Sequence, residues 1–431
     1  LFSFQGALFA SKYIIRGGIN MVEKKTIPYW KQIVAILTVG WVVIWIYRTV
    51  LTPIYPIISD YFGGASNAQL GNISSFYFLG YVIMQIPSGL LVDKLGKKKI
   101  LIPGFIVFGL GTALVALSTT LPILFTGSIL AGLGCGTFYG VAYSLTAEYV
   151  PSNKRSLATA IVNSGTAVGS GLGLISSSYF VGKGILPWQS LIWITVALIA
   201  IMVFVFIKFI KNDQVKPVEK VIEVKAKESK SSDSLLKQLF RPQMVAAYVL
   251  YFSTLYTYYL IDTWLPNFLE TERGFEGTAI GLVSSLVFFA AIPGALVFSR
   301  LADMIPHKKV PIIIGLELMA AAMLLFMIET TSQSFVIIGI ILYGFFGKLA
   351  VEPIIISWLS QFASRKSIAT TYGVFNFFGM TASVIVPSLT GKITDMTGSM
   401  IYAFYLAIGI ILVGTTVFFL VNKIAPKIEE A

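Results

Sequence analysis

A few charged side chains interrupt stretches of the sequence that are otherwise apolar, and these residues are the ones most able to do chemistry. Arg48 stands out, because it lies about 15 residues, or roughly 22 Å, into an apolar run that begins near residue 33. A guanidinium facing lipid at this depth costs on the order of 2.5–3.5 kcal/mol, so we expect Arg48 to face a polar cavity. There its planar fork could bind a carboxylate through two hydrogen bonds. The alternative is an arginine that snorkels outward or forms a structural pair.

Asp262, Glu317, Lys348 and Glu352 also fall within apolar runs. On a helix, the spacing of Lys348 and Glu352 places them on one face, where each lowers the cost of burying the other. This pair is predicted to be either a static ion pair that fixes helix packing or a part of the machinery that couples transport to an ion. Asp262 is expected only a few residues from the outer end of its helix, as either a wetted gate residue or a proton carrier. The depth of Glu317 suggests no role.

The elements that hold these residues must be surrounded by lipid. The sequence is 56% hydrophobic and 12% charged, and its mean hydropathy is +0.82, which is far outside the range of soluble proteins. A helix needs about 20 apolar residues to cross a bilayer core of ~30 Å, so we predict an all-α membrane protein of about twelve spans. The predicted spans cover residues 33–59, 69–92, 99–118, 121–148, 156–180, 186–209, 243–266, 276–299, 309–328, 333–361, 367–391 and 399–423.

The distribution of basic residues predicts the orientation of the chain. The net charge of +12 arises from Lys and Arg in alternate connections between the spans, a bias typical of cytoplasmic loops that requires no nucleic-acid partner. Both termini are therefore predicted on the cytoplasmic side of the cell membrane. We divide the chain into a cytoplasmic segment at 1–30, with 1–20 interpreted as an upstream extension, a six-helix half at 31–210, a cytoplasmic linker at 211–240, a six-helix half at 241–424 and a cytoplasmic tail at 425–431.

Two sequence patterns occur in both halves. Residues 89–99 line up with residues 299–309 at an offset of 299 − 89 = 210, and residues 154–159 line up with residues 365–370 at an offset of 365 − 154 = 211. Because six predicted spans separate the members of each pair, both members lie on the same side of the membrane. The halves are therefore predicted to be parallel copies, related by an axis along the membrane normal.

The first pattern resembles the signature loop between the second and third helices of the major facilitator superfamily. That loop reads Gly-x-x-x-Asp-x-x-Gly followed by basic residues, and Gly89, Asp93, Gly96 and Lys97 match it. Gly89 allows close helix contact, Gly96 allows the turn, and Asp93 at the membrane edge can hold a helix N-terminus or a cation. Such a latch, with Asp303 as its copy, would favour the outward-open state. The alternative is a plain basic loop that follows the charge bias.

Four segments together resemble the anion:cation symporter branch of that superfamily, whose members carry organic anions such as sugar acids. They are residues 80–87, 150–155, 263–275 and 373–376. The resemblance implies that Arg48, on the first helix, binds the anionic substrate. It also implies that Tyr81, Thr166 and Asn376 surround the cavity, where polar side chains suit hydroxyl recognition. Each of these three could equally form hydrogen bonds between helices.

One departure from that branch concerns coupling. Its members use an acidic residue of the fourth helix to bind a proton, and Cys135 occupies the corresponding position here. Either coupling has moved to another residue, or the protein does not use protons in this way.

Glycines at regular spacing predict close helix contacts in two spans. They are Gly132, Gly136 and Gly140 in the fourth span and Gly165, Gly169, Gly171 and Gly173 in the fifth. Those of the fifth span resemble a motif of drug/proton antiporters, although Ser170 stands where that motif has proline. An exporter of that type is therefore kept as an alternative.

Motifs for catalysis and cofactor binding are absent from the sequence. It contains no Gly-x4-Gly-Lys-Ser/Thr phosphate loop, no Gly-x-Ser-x-Gly elbow and no His-Glu-x-x-His, and His307 is its only histidine. We therefore expect no enzyme activity, no catalytic residue, no cofactor and no metal.

These patterns predict a secondary transporter that works by alternating access, driven by a proton or another cation. The expected partners are a small anionic substrate such as a sugar acid, the coupling cation and the lipid bilayer, and a monomer is expected. The residues assigned to coupling or gating are Asp262, Lys348, Glu352, Asp93, Lys97 and Asp303. The alternatives are the exporter and, from another class, a membrane sensor that does not transport.

Overall fold

The computed structural model describes residues 28–151, 154–211, 239–361 and 368–424. These residues form fifteen α-helices and contain no β-strand. The helices are α1 (Tyr29–Thr49), α2 (Tyr55–Tyr61), α3 (Asn67–Leu95), α4 (Lys97–Ala116), α5 (Leu121–Cys135), α6 (Phe138–Tyr149), α7 (Arg155–Ser176), α8 (Trp188–Phe209), α9 (Pro242–Arg273), α10 (Thr278–Met304), α11 (Lys309–Glu329), α12 (Gln333–Phe346), α13 (Lys348–Leu359), α14 (Ile368–Thr397) and α15 (Ile401–Ile424). The predicted N-terminal segment, linker and tail lie almost entirely outside the described residues.

Twelve membrane spans arise from these helices, because three spans are each interrupted once. The 3-10 turn Thr52–Ile54 separates α1 from α2, Gly136 follows α5, and Gly347 in an extended conformation separates α12 from α13. Within the described residues, eleven spans have the length and hydropathy to cross a membrane. The remaining span, α3, has 29 residues and a length of about 43 Å, which is also sufficient. The predicted all-α architecture is confirmed.

Glycines allow helices of the same half to touch. A Cβ on Gly132 of α5 would overlap the backbone oxygen of Tyr77 in α3, and a Cβ on Gly169 of α7 would lie 2.5 Å from the backbone oxygen of Val42 in α1. These positions confirm the predicted contacts. Gly140 differs from that prediction, since a Cβ there would meet nothing within 4 Å. It lines an open cavity and does not pack against a neighbouring helix.

Aromatic rings fill the interior of the first half. Trp41 of α1 stacks on Phe138 of α6 with ring centroids 5.4 Å apart. Phe105 of α4 packs edge-on against Phe206 of α8 at 4.8 Å. Such pairs have defined geometry, so the first fixes α1 against α6 and thereby positions Arg48, which lies near the end of α1, and the second fixes α4 against α8.

Two parallel halves make up the fold, α1–α8 and α9–α15, and successive spans alternate in direction. We call the end at which α4, α7 and α11 begin the basic face, because Lys97, Lys154 and Lys309 lie there. The opposite end is called the far face.

The two halves contact each other at the far face. A Cβ on Gly71 of α3 would overlap the backbone oxygen of Pro387 in α14. A Cβ on Gly281 of α10 would likewise overlap the backbone oxygen of Leu174 in α7. Nearer the basic face, a cavity separates the halves. The structure is therefore closed at one face, with its central space lying toward the other.

Candidate functional site

Arg48 lies close to the middle of the first span, which extends over Tyr29–Tyr61. Only 9% of the residue is exposed. Its Nε donates a hydrogen bond of 3.0 Å to the hydroxyl of Tyr77. The guanidinium carbon lies 4.5 Å from the ring centroid of Trp45 and 4.7 Å from that of Tyr81. The cation is therefore enclosed by aromatic faces, which attract it without neutralising it.

One nitrogen of this guanidinium is left without a partner. Nη2 of Arg48 is buried and forms no hydrogen bond within the described part of the chain. A small void of about 20 Å³ adjoins the side chain, large enough for about one water molecule. Since buried polar groups are almost always hydrogen-bonded, this nitrogen is the feature that most needs a ligand.

Cys135 lies beside Arg48, at the end of α5. Its Sγ accepts a hydrogen bond of 3.0 Å from the hydroxyl of Tyr77, and the thiol also interacts with the Arg48 side chain. Tyr77 thus joins the arginine to the cysteine that stands where the symporter branch has an acid. No carboxylate of the described residues takes that place on α5.

A cavity of about 330 Å³ lies between the halves, on the basic-face side of Arg48. Its size is at the lower end of the range for small-molecule sites. Its lining is mostly aromatic and apolar, with a few polar groups. The residues that line it are Val82, Gln85, Gly136, Tyr139, Gly140, Tyr251, Glu352, Ile356, Tyr372, Gly373, Phe375, Asn376 and Phe377.

Two of the predicted substrate contacts meet at Gln85 in the cavity wall. Asn376 of α14 donates a hydrogen bond of 3.2 Å from Nδ2 to Oε1 of Gln85 in α3, which joins the two halves. Tyr81 interacts with the Gln85 side chain and also covers Arg48 with its ring. Thr166 is buried in α7 and does not line the cavity. The structure therefore brings Tyr81 and Asn376 together but leaves Thr166 apart.

Lys348 and Glu352 form an ion pair on one face of α13, as their spacing predicts. The distance between Nζ and Oε2 is 3.0 Å, and the side chains are 18% and 22% exposed. Glu352 lines the cavity and also accepts a hydrogen bond from the hydroxyl of Tyr251. Lys348 lies 5.1 Å from the ring centroid of Tyr258. Both charges of the pair are therefore already engaged.

Asp262 is deeper in the protein than the sequence suggested. We expected it a few residues from a helix end, but α9 continues through Pro266 to Arg273 and ends at Gly274, whose left-handed backbone (φ 65°) suits glycine. Asp262 is only 3% exposed, and its Oδ1 has no hydrogen-bond partner among the described residues. This burial argues against a wetted gate residue.

The charges around Asp262 come from both halves. Arg48 of α1 and Lys348 of α13 both act electrostatically on its carboxylate. Asp262 is therefore an acidic group of the second half that lies within electrostatic range of the first half's Arg48, whose Nη2 is unpartnered among the described residues.

The predicted latch residues lie at the basic face. Gly96 makes the turn between α3 and α4 with a φ of 93°, a backbone conformation that favours glycine. Lys97 forms an ion pair with Glu148 of α6, in the same half. Asp303 is exposed near the end of α10. The side chain of Asp93 lies outside what the structure describes, so its latch function stays a prediction.

Sequence reasoning identified Tyr81 of α3 but missed Tyr77 and Gln85, which lie on the same helix and connect these groups. Tyr77, Tyr81 and Gln85 follow one another at intervals of four residues, so they share one helix face. This face contacts Arg48 at Tyr77 and the cavity at Gln85. The spacing was visible in the sequence, but its partners on other helices were not.

Comparison with known proteins identifies the family. The family model described as Major Facilitator Superfamily matches residues 37–387, and a second match covers residues 248–430. The chain belongs to the major facilitator superfamily.

Several members of this superfamily are similar to the chain over most of their length. A putative tartrate transporter of Agrobacterium vitis is 24% identical over 84% of this chain and 87% of its own. A 3-(3-hydroxy-phenyl)propionate transporter of Escherichia coli is 26% identical over 82% and 85%, respectively. A hexuronate transporter of Bacillus subtilis is 22% identical over 90% and 93%. These relatives confirm the resemblance to the organic-anion branch.

A solved structure of the superfamily shares the fold. It is a bacterial homologue of the human lysosomal transporter Spinster, in an inward-facing and occupied conformation. The TM-score is 0.71 at 15% identity, over 92% of this chain and 98% of that one. The likeness confirms the major facilitator fold of twelve helices in two parallel halves.

Proposed function

We propose that this protein is a secondary active transporter that carries a small organic anion, such as a sugar acid or another carboxylate, together with a cation. The proton is the proposed cation. The observation that carries this proposal is Arg48, a buried cation with an unpartnered nitrogen inside an aromatic enclosure. Leaving a charged donor unpaired inside a protein costs at least about 1–3 kcal/mol, and an incoming carboxylate would remove that cost.

The cavity supplies the rest of the proposed site. Gln85 and Asn376 present amide groups that can exchange hydrogen bonds with substrate hydroxyls. Tyr81 separates this cavity from Arg48 in the described conformation. We therefore propose that the carboxylate reaches the guanidinium when Tyr81 moves, while the amides hold the remainder of the substrate.

Alternating access follows from the two halves and their unequal contacts. The far face is closed by contacts such as Gly71 against Pro387, whereas the cavity lies toward the basic face. Cytoplasmic loops of membrane proteins are rich in Lys and Arg, so we place the basic face and both termini in the cytoplasm, with the protein in the cell membrane. The described conformation then faces inward.

The printed names of the relatives support the substrate class. Tartrate, hexuronate and 3-(3-hydroxy-phenyl)propionate differ in hydroxylation and aromatic content, but all are carboxylates. The group they share is the one that Arg48 is suited to bind. The proposed substrate is therefore defined by its carboxylate, and the uptake experiment identifies the carbon skeleton attached to it.

Uptake into proteoliposomes tests the proposal. Purified protein is reconstituted, a pH gradient is imposed, and uptake of radiolabelled tartrate, a hexuronate and 3-(3-hydroxyphenyl)propionate is compared. We expect at least one acid to accumulate, Arg48→Ala to abolish its uptake, and Arg300→Ala, which removes an exposed arginine of α10, to leave it unchanged. Absence of uptake by the unchanged protein, or undiminished uptake by Arg48→Ala, would overturn the proposal.

A second candidate is an exporter of lipophilic compounds, favoured by the aromatic residues of the cavity wall. Tyr139, Tyr251, Phe375 and Phe377 all line it. Efflux of a fluorescent lipophilic dye without acid uptake would select this alternative. Acid binding without flux would instead select a sensor.

A further inference from the structure

Four charged groups are linked where the halves face each other, through the electrostatic effects of Arg48 and Lys348 on Asp262 and through the Lys348–Glu352 ion pair. Arg48 comes from the first half, and Asp262, Lys348 and Glu352 come from the second. Two are cations and two are anions, so their formal charges cancel when the site is empty. An entering monoanion would leave this partly buried cluster with one excess negative charge, which is unfavourable beside the buried Arg48 and Asp262.

The two carboxylates of this cluster are unequally satisfied. Glu352 binds Lys348 at 3.0 Å and also binds the hydroxyl of Tyr251. Asp262 has a buried oxygen without a hydrogen-bond partner among the described residues. Arg48 has a matching unpartnered nitrogen in the other half. The groups free to change partners are thus Asp262 and Arg48.

We propose that Asp262 carries the coupling proton, because it is the counter-charge of Arg48 in the empty protein and loses that role when a substrate carboxylate occupies Arg48. This inference rests on the proposed function and specifies where its coupling resides. One proton forms an O–H bond with the Asp262 carboxylate as one monoanion binds Arg48. After the halves rock, the O–H bond breaks, and the proton and the anion leave on the other side. The site remains neutral at each stage.

The neighbours of Asp262 fit this role. The groups that face it are Arg48 of α1, Tyr55 of α2, Tyr258 and Tyr259 of α9, and Lys348 of α13. Neither cation forms a hydrogen bond with Asp262 in the described structure. Tyr258 also lies within electrostatic range of Glu352 in the cavity wall, and its own hydroxyl has no partner among the described residues. Tyr258 therefore interacts with both Asp262 and Glu352, the carboxylate in the cavity wall.

This arrangement explains why an acid can be absent from α5. Cys135 lies beside Arg48, so among the described residues of α5 the first half places a thiol and no carboxylate against this cation. The second half supplies that carboxylate through Asp262. Coupling would then depend on the approach of the two halves, which is the motion that alternating access already requires.

The test separates coupling from binding in proteoliposomes with the membrane potential clamped at zero. Exchange of labelled for unlabelled acid at equal pH reports binding and movement, and accumulation under a pH gradient reports coupling. We expect Asp262→Asn to retain exchange and make it independent of pH. Its accumulation ratio under the gradient should fall to about 1, the value for a carrier without coupling.

Glu317→Gln is the matched control, because Glu317 is a second buried carboxyl of the same half that binds Thr254. It should keep gradient-driven accumulation. A second measurement uses purified protein in detergent with a pH indicator, where adding the transported acid should cause proton uptake in the unchanged protein and in Glu317→Gln but none in Asp262→Asn.

The outcomes are distinct. Three results would overturn the inference. The first is accumulation that persists in Asp262→Asn, and the second is a folded Asp262→Asn protein that has lost both exchange and accumulation. The third is a loss of coupling in Glu317→Gln alone. Accumulation of acid driven by sodium and not by a pH gradient also overturns it, while leaving organic-anion transport intact. Failure of the unchanged protein to exchange any acid overturns the proposed function itself.

Discussion

Asp395 of the second half accepts two hydrogen bonds of 2.9 Å from Asn67 of the first half, one from its backbone N–H and one from its side-chain amide. The other carboxylate oxygen accepts a hydrogen bond of 2.8 Å from the backbone N–H of Ala68. A carboxylate at a helix N-terminus satisfies free N–H groups and interacts favourably with the helix dipole. This contact therefore joins the halves at the far face by capping α3 with a residue of α14.

We expect Asp395→Ala to weaken closure of the far face. Loss of the cap should cost about 0.5–2 kcal/mol, which shifts the balance between conformations by about 2-fold to 30-fold toward a far face that is open. The measurement is maleimide labelling of Ser388→Cys, at the α3–α14 contact, in a Cys135→Ala background. Asp60→Asn, at another exposed far-face position, is the control. Unchanged labelling in Asp395→Ala would contradict the capping role.

Cys135 provides a direct reporter of the anion site, because it is the only cysteine in the sequence. Its buried thiol lies beside Arg48 and Tyr77. We expect slow alkylation by N-ethylmaleimide, and a further decrease in rate when the transported acid occupies Arg48. The protection should disappear in Arg48→Ala. If the acid protects Arg48→Ala as well as the unchanged protein, the acid binds elsewhere.

Tyr77→Phe should impair substrate binding without removing the cation. The change deletes the oxygen that accepts the 3.0 Å hydrogen bond from Nε of Arg48, so the guanidinium loses one of the contacts that fix its orientation. We expect the KM for the acid to rise about 10-fold, equivalent to about 1.4 kcal/mol. Tyr61→Phe alters a tyrosine that is 48% exposed and should leave the KM unchanged. An equal KM in Tyr77→Phe and the unchanged protein would count against this orienting role.

Substituting alanine for either of two glycines in the fourth span should have opposite effects on the stability of the protein. Gly132→Ala places a Cβ against the backbone oxygen of Tyr77, and overpacking of this kind costs about 1–3 kcal/mol. Gly140→Ala meets no atom within 4 Å and replaces glycine inside a helix, a gain of up to about 1 kcal/mol. The midpoint temperature of thermal unfolding in detergent should therefore fall for the first variant, and it should rise or stay unchanged for the second. Equal shifts would refute the difference in packing.

The sequence supplied several correct local relationships because they depend on residues close together in the chain. Apolar runs gave the spans, and the four-residue spacing of Lys348 and Glu352 gave an ion pair on one helix face. The predicted position of Asp262 was wrong because the predicted span ends at residue 266, whereas α9 continues past Pro266 to Arg273. A proline removes one helical hydrogen bond, and neighbouring helices can hold such a helix together.

The sequence by itself therefore determined that this chain crosses a membrane many times in two parallel copies, and that a cation lies in the middle of its first span. Only the tertiary structure decided which groups that cation meets. Tyr77 reaches Arg48 across 29 residues of sequence, and Asp395 reaches Asn67 across 328. Hydropathy and helical period act over a few turns, so they fix which residues are buried, whereas the packing of whole helices fixes which buried residues become partners.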